Sequence, residues 1–562
     1  MKPQSSHPKA HSDIGVVRLV WLAIFISVFS FLFYNRQGDV LLYGDAVAHI
    51  NIARRIFDSK TPGLLQLGTV WLPLPHLLIL PFIVSNKMWQ SGSGGSIPSM
   101  AAYVLAVLGI FRLVRGQLSP DGEAHATPVG AWVAAMIYAA NPNLIYMQTT
   151  AMGESLYLAL FIWAVVYFAE FARGNAKALT KCGLCLAAAC LTRYDGWFLA
   201  AVLMVGALIV HSHLCKRRKD GEPGPTSLPR RPQIIRFLLI AAAAPILWLA
   251  YNAAIYRNPL EFANGPYSAK SIEQKTATVN PAKGNLLAAG SYFLKAAELN
   301  VAQSNWLGRL WLVLALLGSL AAAYSGHGRM ALLLWVPVPF YALSVAYGSV
   351  PIFVPTWWPF SQYNVRYGLQ LLPAFAVFVP MGISFLLQSA TKHKRFEASS
   401  RHWAGIVTVL IILVFVGASY AVVWRANPIC YREADINMKG RVALDRQLGE
   451  WIKSLPPTST LLMYLGQHVG ALEQAGIPLR RTINEGNHRV WKSPVDPDGL
   501  WERALADPAS YADYAIGFEG DPVWKAARDH HLIALVEIHT TGQSPAAIFQ
   551  GRTPLPAQGS TR

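Results

Sequence analysis

Residues 16–34 read VVRLVWLAIFISVFSFLFY, and residues 43–75 read YGDAVAHINIARRIFDSKTPGLLQLGTVWLPLP. The first stretch is apolar almost throughout and about as long as a bilayer core is thick. It follows Lys2, Lys9 and Arg18 in or before the run, and no small-residue cleavage site comes after it. It reads as a retained anchor with its N-terminus in the cytoplasm. The second stretch is a loop that carries acids, bases and a histidine close to the membrane surface. An anchor followed by such a loop is the start of a multi-pass membrane protein.

Working outward, similar apolar runs recur at about 97–114, 128–147, 153–172, 177–192, 195–211, 234–256, 307–324, 328–348, 367–388 and 403–424. With the first run they make about 11 crossings. Residues 70–84, VWLPLPHLLILPFIV, are apolar too, but Pro73, Pro75 and Pro81 break a straight helix. They read as a juxtamembrane element within a first outer loop over 35–96. Composition agrees. Of 562 residues, 53% are hydrophobic and 14% charged, whereas a soluble domain carries about 25% charged residues. The apolar and aromatic content excludes disorder. Five cysteines imply no disulfide framework.

The net charge of +18 would indicate nucleic acid in a soluble chain. Residues 425–562 hold 15 basic and 15 acidic residues, so the excess lies wholly in residues 1–424. There it follows the positive-inside rule: Lys216–Lys219 and the loops Arg173–Lys181 and Lys392–Arg401 fall on the cytoplasmic side. The expected location is the inner (plasma) membrane, with no nucleic-acid partner and the tail after 424 outside. In that tail, Thr460–Leu465, Tyr514–Phe518 and Leu532–Ile538 read as strands, and Val442–Ser454 and Val523–His530 as helices. The organisation expected is a membrane domain, 1–424, and a small extracytoplasmic α/β domain, 425–562.

Ionisable side chains gather at the outer ends of the crossings, while the middles carry almost none. That favours a cavity opening at the surface over a proton-coupled transport path. Asp45 and His49 share a helix face, a pairing suited to general-base work or metal binding, or simply a capping acid on an exposed helix. Glu154 opens an apolar helix, as a cavity acid or as a carboxylate at a helix dipole. In LTRYDGW (191–197), Arg193 and Asp195 form either a site pair or an ion-paired turn. In SQYNVRYGLQLLP (361–373), Arg366 can grip a phosphate bidentately or snorkel at the interface. Arg54 can meet lipid phosphates. Cys182, Cys185 and Cys190 read as buried apolar residues.

The order and sidedness of these motifs resemble the GT-C glycosyltransferases. Within them the chain is similar to the protein O-mannosyltransferase and aminoarabinose-transferase-like families. The resemblance implies a GT-C fold and a polyprenyl-phosphate-sugar donor. It also implies transfer to a protein, lipid or glycan acceptor by inverting displacement. It implies catalytic roles for Asp45 and Glu154 and a phosphate contact from Arg366; Arg193, which matches a Thr-Arg-Tyr element of such enzymes, and the interfacial Arg54 are further candidates for the donor phosphate. The first loop departs from the family at two points: Ala46 follows Asp45 where an acid is frequent, and His49 replaces an aromatic. His49 is therefore a candidate for a metal or the acceptor, and a divalent ion (Mg or Mn) stays open. Two other readings compete: a flippase for the lipid-linked sugar, and a non-catalytic glycan-binding membrane protein.

Overall fold

The structure is a computed structural model that describes residues 9–117, 129–219, 231–276, 279–325, 329–391, 398–466, 468–487 and 499–551. Among them, nine helical segments are long and apolar enough to cross a membrane. They match nine of the eleven apolar runs. The other two are shorter. Residues 128–147 form a helix over Val129–Ala139 and a second over Pro142–Met147. The break has a local cause, since Asn141 caps the second helix through Leu144 N and Pro142 opens it. Ala176–Cys190 has 15 residues, about 22 Å of helix against a core of about 30 Å. The basic loop read at 216–232 lies outside the described residues over 220–230, and that at 392–401 over 392–397.

Residues 70–84 do not form a long helix. Only Leu74–Ile79 is helical, about 9 Å in length, which is too short to cross. Prolines at 73, 75 and 81 confine it.

The helices beginning at Glu154 and Val365 are mostly buried and form the centre of the bundle. On the first helix, Trp21, Phe25, Phe29 and Phe33 are exposed. Apolar surface of that extent on a rim helix belongs against lipid, not water. At the centre, the Asn305–Ser325 helix and the helix Leu372–Thr391 touch backbone to backbone. A methyl group at Gly318 would fall on the Phe378 carbonyl, and one at Gly382 on the Leu314 carbonyl. Small residues at such a crossing let the helices close, which is the main source of attraction between helices in lipid.

After the last apolar helix the chain turns at Ala426–Pro428 and runs through a polar helix, Ile429–Ser454. A five-stranded sheet follows: β1 (Leu461–Met463), β2 (Thr482–Ile483), β3 (Tyr514–Phe518), β4 (Ile533–Ile538) and β5 (Ala546–Gln550). Their order is β2-β1-β3-β5-β4. β1 is parallel to β2 and β3, while β5 is antiparallel to β3 and β4. Strands β1, β3 and β4 are those expected. β2 has two residues, and β5 is AAIFQ, which shows no clear period-two alternation to read.

The sheet domain seats on the first loop. Asn51 Nδ2 donates to Glu473 Oε2 at 2.7 Å, Gln66 Nε2 to the Gly486 carbonyl at 2.7 Å, and Asn487 Nδ2 to Thr61 Oγ1 at 2.8 Å. Tyr43 Oη donates to the Cys430 carbonyl at 2.8 Å.

Two expectations follow. Gly318→Ala or Gly382→Ala overpacks the central crossing and lowers stability by about 1–3 kcal/mol, read as thermal unfolding of purified protein. The second concerns Glu473, whose carboxyl burial pushes up from its ordinary 4.5 to about 8. The folded state then holds a proton that the unfolded state has released. The stability this acid supports is full below pH 4.5 and is lost as pH rises through about 8. Glu473→Gln should flatten the fall in melting temperature between those limits; an unchanged pH profile would refute the assignment.

Candidate active site

The site is built around one guanidinium. Arg366 lies in a 3-10 turn, Val365–Leu371, that leads into the helix Leu372–Thr391. Asn364 enters that turn in the left-handed region, and its side chain donates to the Pro351 carbonyl at 2.8 Å. Two residues after Arg366, Gly368 lies against the Ala296 carbonyl with no room for a β-carbon. The turn is thus held on either side of Arg366, which is aimed by it.

Three carboxylates meet the three faces of the fork. Arg366 Nε donates to Glu154 Oε1 at 3.2 Å, Nη1 to Glu433 Oε1 at 2.9 Å and Nη2 to Asp45 Oδ2 at 2.5 Å. Glu154 comes from the first turn of the helix Glu154–Ala172, and Asp45 from the first turn of Gly44–Arg55. Glu433 comes from the second turn of Ile429–Ser454 and also accepts from Val365 N at 2.6 Å. Burial separates the three acids. The Glu154 and Glu433 side chains are 1% exposed, while that of Asp45 is 41% exposed.

Arg193 makes a second, linked centre. Its Nη1 donates to the same Glu154 oxygen at 3.0 Å, its Nε to Asp195 at 3.2 Å and its Nη2 to Tyr341 Oη at 3.1 Å. Tyr341 donates in turn to Asp195 at 3.1 Å. The Tyr367 ring lies within 5.0 Å of one guanidinium carbon and 5.1 Å of the other. Like charges are thereby kept together by a shared carboxylate and a shared aromatic face.

These groups line a cavity of about 560 Å³, with Asp45, His49, Trp71, Glu154, Arg193 and Arg366 on its wall. Of the residues chosen from sequence, Asp45, His49, Glu154, Arg193 and Arg366 therefore come together. Arg54 does not. Its side chain is buried, with Nε on Asp58 at 2.9 Å, Nη1 on the Ile83 carbonyl at 2.6 Å and Nη2 on Asn86 at 2.7 Å. It also packs over Phe57 and Trp89. These bonds fix the loop, and Arg54 does not border the cavity. Its place apart from the cavity follows from helical geometry: residue 54 is nine positions from Asp45, about 180° around the helix axis.

Sequence reading missed Glu433, Tyr341, Tyr367 and Lys270, which also borders the cavity. For Glu433 a signal existed: an acid one turn into a polar helix that starts directly after the last crossing. Glu485 of the sheet domain lines a second cavity. That cavity, of about 290 Å³, lies on the other side of Val70 and Trp71.

The residues do not fit a divalent metal as they stand. Among the described residues no group of three or more His, Cys, Asp or Glu could hold one. The acids that converge do so on a guanidinium, whose positive charge occupies the point where a cation would sit. His49 pairs with His76 through Nδ1 at 2.9 Å. Cys182 and Cys190 donate to the carbonyls of Ala164 and Gly196.

Comparison with known proteins agrees with this architecture. Residues 84–220 match the family described as dolichyl-phosphate-mannose-protein mannosyltransferase. Over 96% of this chain and 99% of the other, the structure superposes on ArnT from Cupriavidus metallidurans bound to undecaprenyl phosphate. That match has a TM-score of 0.54 at 12% identity. The chain has the ArnT-like GT-C fold. ArnT in the apo state gives a TM-score of 0.52 at 13% identity, covering 96% of this chain and 98% of that one. No curated protein matches the sequence.

Removal of Glu433 tests the three-acid cage. Glu433→Ala leaves Val365 N and one face of Arg366 buried without a partner, at a cost of about 3–5 kcal/mol. Glu433→Gln keeps an acceptor and should cost less. Thermal unfolding of the two variants orders them.

Proposed function

We propose that this chain is a membrane glycosyltransferase that moves a sugar from a polyprenyl-phosphate carrier to an acceptor hydroxyl. The observation that carries the reading is the Asp45–Arg366 contact on the cavity wall, with Glu154 behind it. Sugar transfer from a phosphate needs a base for the acceptor proton and a cation for the departing phosphate. Both are present within one contact. The match to the mannosyltransferase family supports the reading, and so does the undecaprenyl phosphate named in the ArnT structure.

At rest Asp45 is held by Arg366. A phosphate entering the cavity competes for the outward Nη2 of Arg366, because Nε and Nη1 stay on the buried acids. Asp45, the exposed member, is then freed to take the proton of the acceptor hydroxyl. That oxygen attacks the anomeric carbon, the bond from carbon to phosphate oxygen breaks, and the lipid phosphate leaves on Arg366 and Arg193. A single displacement inverts the anomeric configuration. Basic loops between crossings orient the chain with the cavity on the outer face of a bacterial-type inner membrane.

The test uses purified full-length protein with a radiolabelled polyprenyl-phosphate sugar. Asp45→Asn should lower transfer by about 10²–10⁴-fold with little change in melting temperature, because Asp45 is partly exposed. Wild-type transfer by that variant would sink the mechanism. Movement of the labelled lipid across vesicles without covalent transfer would instead identify a transporter.

A further inference from the structure

Half-buried His49 and fully buried His76 form a pair that the mechanism above does not use. His49 Nδ1 and His76 Nε2 are 2.9 Å apart, so one of them carries the proton between them. His76 is fully buried, and its other nitrogen, Nδ1, has no hydrogen-bond partner among the described residues. That bare atom decides the direction. If Nδ1 of His76 carried the proton, a buried N–H would be left unpaired, which folded proteins seldom tolerate. The alternative leaves a lone pair unpaired, the milder of the two defects. His76 then holds its proton on Nε2 and donates to His49 Nδ1. His49, with Nδ1 accepting, must carry its own proton on Nε2.

His49 is partly exposed and borders the cavity that Asp45, Glu154, Arg193 and Arg366 line. Trp71 packs edge-on to the imidazole with ring centroids 4.1 Å apart, so the ring is held from two sides. Burial and the nearby Arg193 and Arg366 push its protonation down to about 3, so it stays neutral. A neutral, fixed N–H competes poorly with two guanidiniums for a phosphate. It suits an uncharged oxygen.

We propose that His49 is a substrate-contacting hydrogen-bond donor, held in its Nε2–H form by His76, and that it binds a hydroxyl or ring oxygen of the transferred sugar. His76 is a positioning residue. This rests on the glycosyl-transfer reading for the identity of the ligand, but the tautomer stands on geometry alone.

Two measurements on the full-length protein test it. The first is 15N NMR of histidine-labelled protein, with His49→Phe identifying the His49 signals among 15 histidines. A protonated Nε2 and an unprotonated Nδ1 are expected; the reverse pattern overturns the proposal. The second is kinetic. His49→Phe keeps the ring shape and removes the donor, and should lower kcat/KM on the order of tenfold to a hundredfold. His49→Gln places an amide N–H near the Nε2 position and should recover most of that loss. Equal losses in the two variants would overturn the donor role. If the wild-type protein transfers no sugar, the glycosyl-transfer reading and the sugar contact fall together, and the spectrum alone decides the tautomer.

Discussion

A guanidinium with a carboxylate on each of its three faces is the constraint on which the rest of the structure depends. Moving a charge out of water costs several kcal/mol unless its partners are in place with good geometry. Arg366, Glu154 and Glu433 are all buried, so none can be satisfied by solvent. Their partners come from residues 45, 154 and 433, far apart in sequence. Satisfying one arginine therefore brings the first loop, the central helix and the polar helix after the last crossing to one point. The glycine contacts serve the same end. Gly368 lets the Arg366 turn lie on the Ala296 carbonyl, and Gly318 with Gly382 lets the helix that follows it close on its neighbour.

The same cage sets what the site can exchange. Glu154 is shared by two arginines, and Glu433 is also bound to a backbone N–H, so moving either acid breaks two bonds at once. Asp45 makes one strong contact and is partly exposed. An incoming anion therefore meets the least resistance at that contact. Binding the anion and releasing the base then become one event. A cation held ready in a fixed orientation needs no reorganisation when charge develops on the leaving phosphate, which is where preorganised electrostatics gains most.

How much of this was legible follows from how far apart the cooperating residues lie. The apolar runs are local signals, and nine of eleven became helices of crossing length. Glu154, Arg193 and Arg366 were legible because each is a charge at the end of an apolar run, where charge is costly, and Asp45 as an acid sharing a helix face with His49 in the first outer loop. Glu433 had only its place one turn after the last crossing to mark it, a weak signal in a polar helix among other charged residues. Arg54 misled for the opposite reason. As a basic residue near the interface it resembled a phosphate contact, but its fate was set by Asp58, Asn86 and two carbonyls that no local pattern reveals. β2 and β5 exist because β1 and β3 offer them an edge. That is a tertiary cause, which strand propensity does not carry.

The sheet domain is more than a cover. The helix that bears Asp45 lies between the membrane bundle and this domain. Tyr43, two residues before Asp45, is tied to the Cys430 carbonyl, and its ring lies 5.1 Å from the Arg366 guanidinium carbon. Asn51 is tied to Glu473, and Asp58 accepts from Arg480 N at 3.2 Å. Each bond pins the first loop from the side opposite the bundle. The polar helix Ile429–Ser454 joins the two halves, with Glu433 on Arg366 near one end and Asp445 at 3.3 Å from His468 of the sheet domain farther along. Anything that shifts the sheet domain must therefore act on Asp45 through the first loop and on Arg366 through Glu433. The proposed base and the proposed phosphate clamp are positioned by the same body.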